Sequence, residues 1–262
     1  MSAQGGVPEP VELLQFPFSH YNEKARWALD WKGVAHRRTS LLPGPHAFMI
    51  MRLTGKTEVP VVRIGGEVVG GSAAIIDALE RRVPTPALYP SDPSERARAL
   101  EVQRWFDDEV GPMVRRALFA VMLDTPNYVC TMFAGHRSWP VRASYRASFA
   151  VVSSVMKRSM GITDAASVER AGVVTREAFD YVVRHAGPSG NLVGETFTVA
   201  DLAAASLLAP MVDVAHPDMR KPTPRPDAMQ GVLDRWAAHP GAAWVQEQYR
   251  RHRPPLAAAV AA

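Results

Sequence analysis

The sequence predicts a small α/β domain followed by a larger all-helical one. Three observations carry this. Strand-like and helix-like runs alternate over residues 11–80. Prolines then crowd residues 83–94, and no strand pattern returns after residue 90. Val11 to Phe16 reads as a strand, with Leu13, Leu14 and Phe16 apolar. His20 to Lys32 reads as a helix, because Ala25, Ala28 and Leu29 recur at i, i+3 and i+4 and Gly33 supplies a stop. Residues 34–40 form a second strand. Pro43, Gly44 and Pro45 lead into a short helix near Ala47 to Leu53. A hairpin follows, with Val61 to Ile64 and Glu67 to Val69 joined by Gly65-Gly66. Two glycines between β-branched runs are a strong hairpin signal, since both turn positions need positive φ. Ser72 to Arg81 closes the unit as a helix with Ile75, Ile76 and Leu79 on one face.

The order is β-α-β-α-β-β-α, which requires a crossover helix between the first two strands. Residues 83–94 read as a linker between a first domain over residues 1–82 and an all-α domain over residues 95–253. In that second domain a helical pattern over 95–123 is interrupted at Gly111-Pro112, where Pro112 should kink or break it. Further helices are expected over 139–160, 165–185, 228–238 and 241–249. Thr198 with Asp201 three residues on gives an acidic capping box, and Phe197 with Leu202 a hydrophobic staple. Residues 211–226 are Pro-rich and read as a loop.

Composition narrows the function classes. The 262 residues are 47% hydrophobic and 21% charged, enough for a sizeable core and unlike a disordered chain. The longest apolar run, Leu202 to Val212, is interrupted by Ser206 and Pro210 and is too short to span a bilayer. Met1 to Pro10 lacks a basic start and an apolar centre, so a cytoplasmic protein is expected. One cysteine, Cys130, permits neither an internal disulfide nor a multi-cysteine metal site. The eight histidines show no metal-ligand spacing, so no metal is expected. The net charge of +4 comes mainly from scattered arginines with no aromatic interleaving, so no nucleic-acid partner is expected. Gly55-Lys56-Thr57 ends like a phosphate loop, but Ile50 stands where its first glycine is required.

Four elements resemble the cytosolic glutathione transferase family. The first strand runs into Phe16-Pro17-Phe18-Ser19-His20-Tyr21-Asn22-Glu23-Lys24-Ala25-Arg26, similar to the family's serine-containing turn and first helix with its arginine. Glu58-Val59-Pro60 resembles the family's Val-Pro turn with a cis proline. Gly71-Ser72 opens the third helix where the family has Glu-Ser or Gln-Ser. Phe197 to Leu202 resembles the family's capping box. The resemblance covers about residues 11–250. It implies a thioredoxin-like N-terminal domain, an all-helical C-terminal domain and a homodimer.

The resemblance also implies an activity. Glutathione is the co-substrate, no cofactor is needed, and the thiolate is conjugated to a small apolar electrophile, as in detoxification. Its thiol has a pKa of about 8.5–9, and lowering that by about two units requires roughly 2.7 kcal/mol of differential stabilisation. The resemblance gives Ser19 that task, by a hydrogen bond to sulfur at the positive end of a helix. Read from the residues alone, Ser19 is an ordinary N-cap. Val59 and Pro60 are assigned to the cysteinyl part of glutathione, Ser72 to its γ-glutamyl carboxylate and Lys56 to its glycyl carboxylate. Gly71 and Glu58 depart from the pattern: Gly71 offers no side-chain contact, and Glu58 repels an anion unless Lys56 offsets it. Tyr21 or Asn22 are candidates for a second donor to sulfur. Trp105, Phe106, Met113 and Arg116 are candidates for the electrophile pocket. Two alternatives stay open: a non-catalytic binding or scaffold module of the same fold, and a transferase or peroxidase using another small thiol. The segment 124–138 is unusual for the family and is expected to cover the electrophile site or reshape the dimer interface.

Overall fold

The computed structural model describes residues 10–255. The stretch at residues 1–9, read above for signal features, lies outside them. The first unit is built from β1 (Val11–Gln15), α1 (His20–Trp31), β2 (His36–Ser40), α2 (His46–Thr54), β3 (Val61–Ile64), β4 (Glu67–Gly70) and α3 (Ser72–Arg82). Its four strands lie in the order β2-β1-β3-β4. β1 pairs parallel with β2 and antiparallel with β3, and β3 pairs antiparallel with β4. This is the thioredoxin-like arrangement expected from the residues. Gly33 and Gly65-Gly66 take the positive φ values (64°, 56° and 76°) that a helix stop and a tight hairpin demand.

The second unit is helical: α4 (Pro93–Trp105), α5 (Gly111–Met122), α6 (Pro126–Ala134), α7 (Trp139–Ala147), α8 (Phe149–Ser159), α9 (Ala165–His185), α10 (Val199–Leu208), α11 (Asp227–Ala237) and α12 (Pro240–His252). α10 is buried along its whole length and sits among α1, α4 and α12. Its capping box forms as expected. Asp201 accepts from the Thr198 N–H at 2.8 Å, and the Thr198 hydroxyl accepts from the Ala200 N–H. Burial pushes the Asp201 pKa up to about 6, against those hydrogen bonds. No helix among the described residues is long and apolar enough to cross a membrane.

Three local expectations are corrected. α4 begins at Pro93, inside the stretch read as linker, because the Asp92 carboxylate accepts from the Ser94 and Glu95 N–H groups and proline suits the first turn. The 139–160 helix is two helices that meet at Ser148. Most informative is Pro112. It does not break the chain; a π-helical turn over Phe106–Val110 carries α4 straight into α5. The Gly111 N–H reaches back to the Phe106 carbonyl, and the wider turn frees the Asp107 carbonyl, which accepts the Tyr21 hydroxyl at 2.5 Å. A Cβ at Gly111 would overlap that hydroxyl, so only glycine allows α1 to dock here.

The two units are joined through α1, which is buried from Asn22 to Leu29 although four of those residues are polar or charged. Arg253 bonds Glu23 at 2.8 Å, Asp30 at 2.7 Å and Asp218 at 2.7 Å. Arg26 bonds Glu23 at 2.8 Å and the Gln15 side chain at 2.7 Å. Arg38 bonds Asp218 at 2.7 Å and Asp30 at 2.9 Å. Three carboxylates thus face three guanidiniums. Glu23, His216 and Asp218 lie within 4.8 Å of one another in a metal-like grouping, but both carboxylates are already neutralised by arginine. Lys24 separately pairs with Asp107, at 2.6 and 2.7 Å, and ties α1 to the π turn.

Burial opposes the Glu23 charge, yet Arg253 and Arg26 hold its pKa down to about 2. A depressed carboxylate stabilises the fold fully above its ordinary value and loses that contribution as pH falls through the folded value. Denaturant titrations at a series of pH values should therefore show stability declining below about pH 4.5 toward pH 2. Glu23→Gln leaves Asp30 and Asp218 to balance three guanidiniums and should cost about 3–5 kcal/mol in urea unfolding at pH 7.

Candidate functional site

The site is built where β1 hands over to α1. The turn Phe16-Pro17-Phe18 reverses the chain, with Phe18 at φ 61°, a left-handed conformation uncommon for a bulky residue. This turn sets Ser19 at the N-cap of α1, in extended geometry. The Ser19 carbonyl accepts the first helical bond, from the Glu23 N–H at 2.8 Å. Its hydroxyl does not cap the helix. Both the hydroxyl and the first-turn N–H groups therefore stay available to a ligand at the positive end of the helix. Arg26 steadies the turn from behind by holding Gln15 and reaching the Phe16 carbonyl.

Strand register brings the other glutathione-site candidates to the same end of the sheet. Leu14 opposes Val61 and Val61 opposes Gly70, so Pro60 and Gly71 lie one step beyond, beside the end of β1. The Val59-Pro60 bond is cis, and the Pro60 carbonyl accepts the Gly71 N–H at 2.9 Å. Gly71 has φ 92°, where a side chain would strain the backbone although space is open around it. Ser72 is the first residue of α3 and is buried; no side chain caps that helix either. Lys56 and Glu58 are exposed on the loop before Val59.

The neighbours of Ser19 divide clearly. The Tyr21 hydroxyl has one proton and gives it to the Asp107 carbonyl, so it is not a free donor to sulfur. Asn22 is wholly enclosed, and neither its Nδ2 nor its Oδ1 has a hydrogen-bond partner among the described residues. His20 Nε2 lies 3.1 Å from the Gly111 carbonyl and must carry the proton there. Burial, together with Arg115, pushes the His20 pKa down to about 3, so the ring is neutral. Arg115 was not among the sequence candidates. It stands half-buried on α5, its charge felt by His20, Tyr21 and Glu58, and its Nε has no hydrogen-bond partner. Burial pushes its pKa down, with Tyr21 and Glu58 opposing. Its neighbour Arg116, which was a candidate, instead bonds the Met160 carbonyl at 2.8 Å. Helical spacing alone could not choose between two adjacent arginines.

The electrophile-pocket candidates also separate. Phe106 is fully buried, and Trp105 packs on it and on Tyr181 as core. Met113 is half-buried on α5. The cavity that actually adjoins Phe18 is apolar, about 20 Å³, and takes Leu118 and Met122 from farther along α5. The unusual segment 124–138 contributes to it: α6 supplies Tyr128 and Met132.

Comparison with known proteins agrees with this fold. Residues 13–87 match the profile of the glutathione S-transferase N-terminal domain, and residues 165–243 that of the C-terminal domain. A probable glutathione S-transferase of Nicotiana tabacum is 27% identical over 105 residues, 40% of this chain and 47% of that protein. A maleylpyruvate isomerase of Ralstonia sp is 28% identical over 118 residues, 44% of this chain and 56% of that protein. The matches thus span about half the length of these curated relatives. The crystal structure of a glutathione S-transferase from Rhodospirillum rubrum shares the fold, with a TM-score of 0.61 at 19% identity over 92% of this chain and 88% of that one.

The uncapped geometry of Ser19 has a measurable consequence. Replacing a capping Ser or Thr by Ala usually costs about 0.5–2 kcal/mol. Thr198→Ala should fall in that range. Ser19→Ala should cost less than about 0.5 kcal/mol in the same unfolding assay, because no cap bond is lost.

Proposed function

The chain belongs to the glutathione S-transferase family, and on that premise we propose that it binds glutathione and attacks an electrophile with its thiolate. The observation that carries this reading is the free Ser19 hydroxyl at the head of α1. The energetics suffice. A hydrogen bond to a charged acceptor contributes about 1.5–3 kcal/mol and a helix N-terminus about 0.3–1 kcal/mol. Together they reach the roughly 2.7 kcal/mol needed to lower the thiol pKa by about two units. Arg115 adds a guanidinium on the same side, and neutral His20 adds no charge of its own.

In this reading the Ser19 hydroxyl donates to sulfur, the thiol proton leaves to solvent, and the sulfur pair forms the new bond to carbon as that carbon's leaving group departs with its bonding pair, as chloride does from chlorodinitrobenzene. Val59 aligns the cysteinyl backbone beside cis-Pro60. Ser72 and the free N–H groups of α3 hold the γ-glutamyl carboxylate. Lys56 takes the glycyl carboxylate. The charges of Arg115 and Glu58 act on each other, which offsets part of the Glu58 repulsion. The electrophile lies against Phe18 and the α5–α6 face. A homodimer in the cytoplasm goes with this reading, supported by exposed Phe48, Met51 and Val68 on the first unit.

Titration calorimetry with glutathione tests the binding, and the thiolate absorbance of the complex against pH reads the thiol pKa. The wild type should bring it to about 6.5–7, and Ser19→Ala should raise it by about one unit, with a matching loss of rate on chlorodinitrobenzene. Arg115→Met should raise it too, with Ser19 intact. No binding at millimolar glutathione would sink the enzyme and leave a binding module on the same fold.

A further inference from the structure

The cavity beside Phe18 carries one charge that the scheme above does not use. Its walls are Phe18, Leu118, Met122, Met132, Met219 and Met229, all apolar. Pro210, Tyr128 and Lys221 complete the lining, and Lys221 is only 6% exposed. Its Nζ makes one hydrogen bond, to the Val212 carbonyl at 2.7 Å. An ammonium has three donors, so two are unused among the described residues. No carboxylate lies within 4.0 Å of it among those residues. Asp213, the acid whose charge acts on it, is held by Arg225 at 2.7 Å. Tyr128, the other polar group in the lining, gives its hydroxyl to the Pro222 carbonyl at 3.1 Å.

A buried ammonium without a counter-charge is costly, and buried charges are ordinarily paired. From this arrangement we infer that Lys221 anchors the carboxylate of an apolar acid that enters past Phe18. The cavity, about 20 Å³, has room for about one water as it stands, so the carboxylate head enters only as the surrounding methionines give way. The body of the acid lies outward, against methionines whose flexible chains can repack around it. The walls offer nothing to a strongly hydrated anion such as phosphate, so the ligand is an acid with an apolar body. Phe18 immediately precedes Ser19, so the outer end of such a ligand reaches the thiol site. The inference therefore rests on the function proposed above for its meaning as substrate, which becomes an apolar electrophile bearing a carboxylate, but not for the binding itself.

Burial pushes the Lys221 pKa down to about 8; Asp213 opposes the shift and Arg225 adds to it. Binding an anion favours the protonated amine. Affinity for the acid should therefore be full below about pH 8 and fall with rising pH above it. The test compares phenylbutyrate with phenylbutanol by titration calorimetry, without glutathione, on wild type and Lys221→Met. The wild type should bind the acid at least about tenfold tighter than the alcohol near pH 7. That preference should fall roughly tenfold between pH 8 and pH 9.5 and disappear in Lys221→Met. The variant should stay within about 1–3 kcal/mol of the wild type, since it removes an unpaired charge but also the hydrogen bond to the Val212 carbonyl. Equal affinities in the wild type, or an unchanged preference in the variant, would overturn the inference. The wild-type pH profile decides the matter if the variant does not fold. Glutathione titrated in parallel separates the two readings: acid binding without glutathione binding keeps the pocket and removes the transferase, and the reverse does the opposite.

Discussion

The structure hangs on the buried charges of α1. Glu23, Asp30 and Asp218 face Arg26, Arg38 and Arg253 in one closed set, drawn from α1, β2, the loop before α11 and the end of α12. The three charges of each sign balance, and each group has more than one partner, so removing any one of them leaves the set with an uncompensated charge. α1 is therefore fixed from both units at once. The residue at its head, Ser19, inherits that rigidity without making a capping bond of its own.

The front of α1 is fixed by a different device. A π turn places a free carbonyl at Asp107 and a bare glycine at Gly111, and Tyr21 fills the space between them. His20 docks on the Gly111 carbonyl one residue earlier. These contacts use the polar groups that flank Ser19, which leaves its hydroxyl, the helix N–H groups and Arg115 as the polar equipment facing the open end. The division is a physical one. Side chains that hold the helix in place are spent on that role, and only those left over can meet a ligand.

The same economy runs through the second unit. α10 is enclosed on every side and is closed at its start by Thr198 and Asp201. Phe197, the residue before that cap, stacks on Trp27 of α1 at 5.5 Å and on His252 of α12 at 4.6 Å. The residue thus serves the join between units. Around Phe18 the core stays loosely filled with methionines, and Lys221 is the charge left within it.

Much of the fold was legible because its signals are local. The Gly65-Gly66 hairpin, the Gly33 stop, the Thr198 box and the helical period of 165–185 each depend on residues within a few positions of one another. The order of elements and the serine-bearing turn followed from them. What the residues could not settle was which polar groups would be used up. Tyr21 and Asn22 share a turn with Ser19, yet partners some 85 residues away take the first, and the interior encloses the second. Pro112 signalled a break, but it follows a π turn, and the Asp107 carbonyl that its missing N–H leaves without a helical donor accepts from Tyr21. Arg115 and Arg116 are indistinguishable by spacing, and only the packing of α5 aims one at the site and the other at Met160. The sequence by itself determined the scaffold and the position of Ser19, because backbone conformation is set by near neighbours. The tertiary structure decided which hydroxyl, guanidinium and ammonium remain unspent, because pairing in the interior is a long-range affair.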